Sequence, residues 1–148
     1  MPNRILWDAA PVSRGTVLTT ELNTLTNGSY SAVGTEINNT VNSDQYGACD
    51  IVLASLDPSA GAYLGLYIVQ TLDGTNYEDP AKTTSNPAAH QLAATVAVDD
   101  VSSAKRIMTP WFRLPPGKFK FVLQNATGVS LASSSNTVTL YTANDEVQ

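Results

Sequence analysis

The chain of 148 residues holds a single histidine, His90, and a single cysteine, Cys49, so the chemistry open to it is narrow. Nucleophilic catalysis needs a base beside the nucleophile. His90 stands in Ser85-Asn86-Pro87-Ala88-Ala89-His90, and no G-x-S-x-G motif accompanies it. One Cys and one His cannot supply the three or four nitrogen and sulfur ligands of a zinc site. Carboxylate pairs at Glu78-Asp79, Asp99-Asp100 and Asp145-Glu146 supply the residue type that glycoside hydrolysis uses. Adjacent carboxylates in turns and tails are, however, usually solvated. The oxygen-rich stretch Asp73-Gly74-Thr75-Asn76-Tyr77-Glu78-Asp79 invites a calcium loop, but its glycine falls at the second place and not the sixth. An Asp-Gly hairpin turn is expected there instead. Cys49, within Ala48-Cys49-Asp50-Ile51-Val52-Leu53, reads as a small buried hydrophobe. The glycosylation patterns at Asn27, Asn38 and Asn125 are what chance yields in a chain so rich in Asn, Ser and Thr. These residues predict no enzyme, no cofactor and no metal.

The charge balance points the same way. A net charge of -5 opposes any broad attraction to phosphate backbones, so no nucleic acid partner is expected. No apolar run approaches the length of a membrane span and the N-terminus lacks a secretory signal, so no membrane partner is expected either. Within this acidic chain, 101–124 contains no acid and carries Lys105, Arg106, Arg113, Lys118 and Lys120. That basic region suits either a solvated strand face or an acidic patch on a partner.

The elements that would position these groups are strands. Lys118 to Gln124 alternates, with Phe119, Phe121 and Leu123 on one face, and Asn136 to Thr142 repeats the pattern with Val138 and Leu140. Turn residues flank Val129 to Ala132 between them, which predicts a meander with local antiparallel pairing. Ile51 to Leu56 and Tyr63 to Thr71, joined by Asp57-Pro58-Ser59-Ala60-Gly61, predict a central hairpin whose apolar strands need cover on both faces, from a second sheet or a neighbouring subunit. Further strands are expected at Ser31 to Ile37, at Leu92 to Val98, and at Arg106 to Met108 continuing through Trp111 to Arg113, with Pro110 at an edge or bulge. Thr20 to Leu25 is the one helical turn, and 78–91 the one long loop. Short strands at such spacing predict an all-β, antiparallel β-sandwich of jelly-roll type.

Residues 1–15 have apolar content without periodicity, and Pro2 and Pro11 oppose regular structure. They are expected to form an extended N-terminal arm anchored by Trp7, with 16–148 as the single sandwich domain. The candidate interface comprises Arg4, Ile5, Leu6, Trp7, Lys105, Arg106, Trp111 and Arg113.

Asp73-Gly74-Thr75-Asn76-Tyr77 after an apolar strand, Leu114-Pro115-Pro116-Gly117-Lys118-Phe119-Lys120-Phe121, and Gln124-Asn125-Ala126-Thr127-Gly128 together form a pattern. It resembles small virion structural proteins of tailed bacteriophages over 31–141. The resemblance implies a capsid decoration or cement protein at the capsid surface, made in the host cytoplasm, which binds the major capsid protein or other virion proteins. It brings no catalytic residues. Self-association follows from the doubly apolar strands, with a trimer favoured. The rival expectation is a tail-associated carbohydrate- or receptor-binding module, in which Tyr63, Tyr67, Tyr77 or Trp111 would stack on sugars.

Overall fold

A computed structural model describes residues 5–7, 10–79 and 86–147, with side chains over 10–79 and 86–145. Alternation decides where its strands sit. In the strand Lys118–Ala126, Phe119, Phe121 and Leu123 are fully buried on one face, as the period-2 pattern requires. Thr137–Ala143 likewise turns Val138 and Leu140 inward.

In chain order the strands are β1 (Ile5–Trp7), β2 (Val12–Leu18), β3 (Ile37–Asn38), β4 (Tyr46–Leu56), β5 (Tyr63–Gln70), β6 (Leu92–Ala97), β7 (Ser103–Met108), β8 (Phe112–Arg113), β9 (Lys118–Ala126), β10 (Thr137–Ala143) and β11 (Asp145–Val147). Nine of them build a β-sandwich of two antiparallel sheets, and β1 and β11 pair with each other separately. The first has the order β2-β10-β4-β7, with β8 also paired to β4, and the second the order β3-β9-β5-β6. Cys49, Ile51, Leu53, Val138 and Leu140 of the first sheet belong to one core with Leu64, Leu66, Phe119, Phe121 and Leu123 of the second. Phe121 meets Phe119 and Phe112 edge to face, with centroids 5.5 and 6.2 Å apart. Each such side chain, fully buried, contributes about 1.5–3 kcal/mol.

Two expected local pairings are absent because their loops cross between sheets. β4 and β5 lie in different sheets, so Asp57 to Gly61 is a crossover and not a hairpin turn. β9 and β10 are likewise separated, and the segment between them forms no meander. Its backbone is satisfied partly by other loops, Leu131 N–H donating to the Leu25 carbonyl and Thr24 N–H to the Ala132 carbonyl, and partly by side chains. Asn125, wholly buried, donates to the Leu25 and Val129 carbonyls at 2.8 Å and accepts from Thr127. Asn136 donates to the Ala132 carbonyl, and Leu131 plugs the core. The two crossovers touch where Ser59 N–H donates to the Thr127 carbonyl. Gly128 beside them has φ +87°, and a Cβ there would fall 2.1 Å from Ser59 Oγ, so only glycine fits.

Other expectations need narrower bounds. Of Ser31 to Ile37 only Ile37–Asn38 is regular strand, although Ser31 and Gly34 still donate to β9 carbonyls. The helical turn is a 3-10 turn over Thr20–Leu22, ended by extended backbone at Asn23. The long loop lies partly outside the described residues, at 80–85. Pro110 does interrupt β7 and β8, which pair successive stretches of β4 from the sheet's edge. Of the residues expected to form an arm over 1–15, Val12 to Gly15 belong to β2 and pair with β10. Ile5 to Trp7 pair with Val147 to Asp145 of the same chain.

The double cover expected for β5 comes from the chain itself. Tyr67, Val69 and Val122 form a second apolar cluster on the outer face of sheet two, and Tyr30, Val33 and Tyr77 pack over it.

Candidate interaction surfaces

Sheet one leaves its outer face open. Opposed residues in an antiparallel pair share a face. The register therefore places Tyr46 beside Arg113, Ala48 beside Tyr141, Asp50 between Thr139 and Met108, and Val52 between Thr137 and Arg106. Arg106 grips Asp50, its Nε donating to both carboxylate oxygens at 3.1 Å and its Nη2 to one at 2.8 Å. Asp50 in turn raises the Arg106 pKa. The Arg113 guanidinium stands 4.8 Å from the Tyr46 ring centre. The Tyr46 hydroxyl donates to Asp145 at 3.0 Å, and that bond pushes the phenol up. Along this edge Met108 is 67% exposed and Trp111 43%.

Three of the expected interface residues, Arg106, Trp111 and Arg113, thus lie along the β7–β8 edge. Trp7 is the register partner of Asp145, so the backbone of Ile5 to Trp7 lies next to the Tyr46 end of this face. Arg4, and the side chains of Ile5, Leu6 and Trp7, lie outside the described residues.

Lys105 does not join them. It sits opposite Leu53, its side chain is 4% exposed, and its ammonium bonds Asp99, the Val101 carbonyl and Ser103. That contact, with the Val101 N–H, holds the Asp99 carboxyl below its ordinary range. The expected single basic region is also divided, for Lys118 and Lys120 belong to β9 in the other sheet. There Lys118 pairs with Glu36 at 3.2 Å and Lys120 lies 4.4 Å from the Tyr77 ring centre. All five cations therefore have partners within the chain.

The aromatic rings expected to stack on sugars are not gathered into one platform. Tyr67 is buried with Tyr30 edge-on to it at 5.7 Å, and Tyr77 donates to Glu36 beneath Lys120. Tyr63 lies at the start of β5 in sheet two, while Trp111 precedes β8 in sheet one.

The residues with catalytic potential are occupied in other ways. His90 Nε2 lies 3.2 Å from Glu78 Oε2 at the rim of a cleft of ≈390 Å³ walled by Gln70, Phe112, Arg113 and Leu114. Among the described residues, that lining contains no Ser, Thr or Cys to serve as nucleophile. Burial opposes the Glu78 charge, but the Gln70 N–H, His90 and Gln91 together hold its carboxyl below the usual range. Burial pushes the Cys49 thiol up to about 12. Asp73 accepts from the Thr75 and Asn76 N–H groups at 2.8 and 2.7 Å, which drives its carboxyl far below normal. This is the Asp-Gly turn, with Gly74 at φ +77° and Thr71 bridged to Tyr77. Asn125 of the third glycosylation pattern is buried. Among the described residues, no group of three His, Cys, Asp or Glu side chains is placed to hold a metal.

Sequence reasoning missed the open face as a unit. Its signal was present in β4, where Gly47, Cys49, Ile51 and Leu53 alternate with Ala48, Asp50, Val52 and Ala54. No protein-family model matches the chain, and no curated protein matches it significantly.

Proposed function

We propose that the chain is a non-enzymatic virion structural protein, a capsid decoration protein that stabilises a phage head by docking on the major capsid protein. The observation that carries this reading is the asymmetry of the sandwich. On the outer face of sheet two Tyr30, Val33 and Tyr77 cover Tyr67, Val69 and Val122, leaving Tyr63 exposed at the start of β5, while that of sheet one presents Met108, Val52 and Tyr141 around an internally neutralised Asp50–Arg106 pair. A sheet face with apolar side chains and satisfied charges suits a protein surface better than a small ligand, which a concave site would enclose. The strand orders, in which early and late strands interleave within each sheet, support the jelly-roll assignment. The location on a virion rests on the resemblance at Asp73 to Tyr77, Leu114 to Phe121 and Gln124 to Gly128.

The test is cosedimentation of the purified chain with tailed-phage heads stripped of accessory proteins. Saturable binding at a fixed number of copies per head is expected. Absence of binding, with retention on a glycan surface instead, would transfer the protein to the tail-associated carbohydrate-binding class.

A further inference from the structure

A sheet's edges expose unpaired backbone groups that accept another strand, and folded proteins usually guard them with charge, proline, bulges or brevity. Here β2 and β7 bound the first sheet and β3 and β6 the second. β2 carries Arg14 and two register irregularities, β7 carries Lys105 and Arg106 and stops short of Pro110, and β3 has two residues. β6 has none of these over most of its length. Its sequence Leu-Ala-Ala-Thr-Val-Ala lacks charge and proline, and its one irregularity falls at Ala93, near its start.

The register shows which groups β6 offers. Val98 donates its N–H to the Ala62 carbonyl at 2.9 Å, and Val96 and Ala94 stand opposite Leu64 and Leu66. Backbone polar groups alternate sides along an antiparallel strand. Ala94 and Val96 therefore bond β5, and Thr95 and Ala97, both exposed, direct their N–H and C=O groups outward.

We propose that β6 pairs antiparallel with β6 of a second copy of this chain, across a two-fold axis at Val96, Thr95 of each copy exchanging hydrogen bonds with Ala97 of the other. This register uses the regular part of the strand and leaves the bulge at Ala93 outside. The inward row Ala94, Val96 and Val98 then runs on across the axis, with Val96 against Val96 and Ala94 against Val98. The residues at the strand ends favour the antiparallel sense. His90, its side chain 68% exposed, precedes β6, and Asp99 and Asp100 follow it. Antiparallel pairing carries His90 of each copy toward the acidic pair of the other at both ends. Parallel pairing would set acid beside acid. Such a self-complementary contact closes at two copies, in place of the expected trimer. It stands whether or not the chain decorates a capsid.

Light scattering on the full chain at micromolar concentration should give the mass of a dimer. Thr95→Lys places a guard on the edge without touching the β5 ladder, and should give a monomer with an unchanged melting temperature. If that variant fails to fold, cysteine cross-linking decides, since Cys49 is buried and gives little background. An oxidised equal mixture of Thr95→Cys and Ala97→Cys chains should form far more disulfide dimer than either alone. A monomeric wild type, a folded Thr95→Lys chain that stays dimeric, or a mixture that cross-links no better than its components would overturn the pairing.

Discussion

Asp73 and Asp99 owe their charged state to local donors, two backbone N–H groups for the first and Lys105 with the Val101 N–H for the second. A carboxyl whose folded pKa is depressed adds stability above its unfolded pKa and loses it as pH falls through the folded one. Both contributions are therefore complete near neutrality and decline as pH drops below the ordinary Asp value of 3.8. Thermal melts between neutral pH and pH ~2 should show that decline. Asp73→Asn should make it shallower, and an equally steep decline in that variant would remove the turn from the account. Cys49 gives a second residue-level expectation. With its thiol buried and raised to about 12, it should resist alkylation at pH ~8 in the native chain and react readily in denaturant. Rapid labelling of the folded chain would contradict the burial. Both readings were legible in sequence, because an Asp-Gly turn and a Cys inside an apolar run are local signals. The Lys105 ammonium was not, since its inward direction follows from pairing with Leu53, a contact 52 residues away in the chain.

At the scale of elements, strand identity was legible and strand partnership was not. Phe119, Phe121 and Leu123 announced β9 by period alone, and Pro110 announced the break between β7 and β8. Whether the loop Asp57 to Gly61 closes a hairpin or crosses to another sheet depends on long-range packing, which turn residues do not encode. The β9–β10 crossover is where the two outcomes differ most in chemistry. A meander would satisfy its carbonyls by pairing, whereas this loop relies on Asn125, whose amide meets the Leu25 and Val129 carbonyls and whose oxygen accepts from Thr127. Asn125→Ala leaves the Thr127 N–H without its acceptor, while the Leu25 carbonyl keeps the Leu131 N–H and the Val129 carbonyl keeps the Thr127 hydroxyl. One orphaned buried group costs about 1–3 kcal/mol, so denaturant melts should show a loss of about 2 kcal/mol. A loss under about 1 kcal/mol would mean the loop has another means of satisfying its backbone.

For the whole molecule, the apolar strands argue less for a partner over β5, because Tyr30, Val33 and Tyr77 already cover Tyr67 and Val69 there. The case for association moves to the open face of sheet one and to the β6 edge. The closeness of Arg106, Trp111 and Arg113 was legible from their shared segment, and strand alternation alone puts Met108 on the face of Arg106, while Val52 joins them only through the register between β4 and β7. Met108 is the most informative position on that face. It is 67% exposed and stands opposite Asp50, so a lysine there is compatible with the fold but places a charge within any docked interface. Loss of a buried Met contact together with the cost of burying that charge amounts to about 2 kcal/mol or more, roughly thirtyfold in affinity. The decisive measurement is the binding isotherm of Met108→Lys on stripped phage heads beside that of the wild-type chain. The docking account predicts an affinity lower by about thirtyfold with an unchanged melting temperature, and equal affinities for the two chains would contradict it.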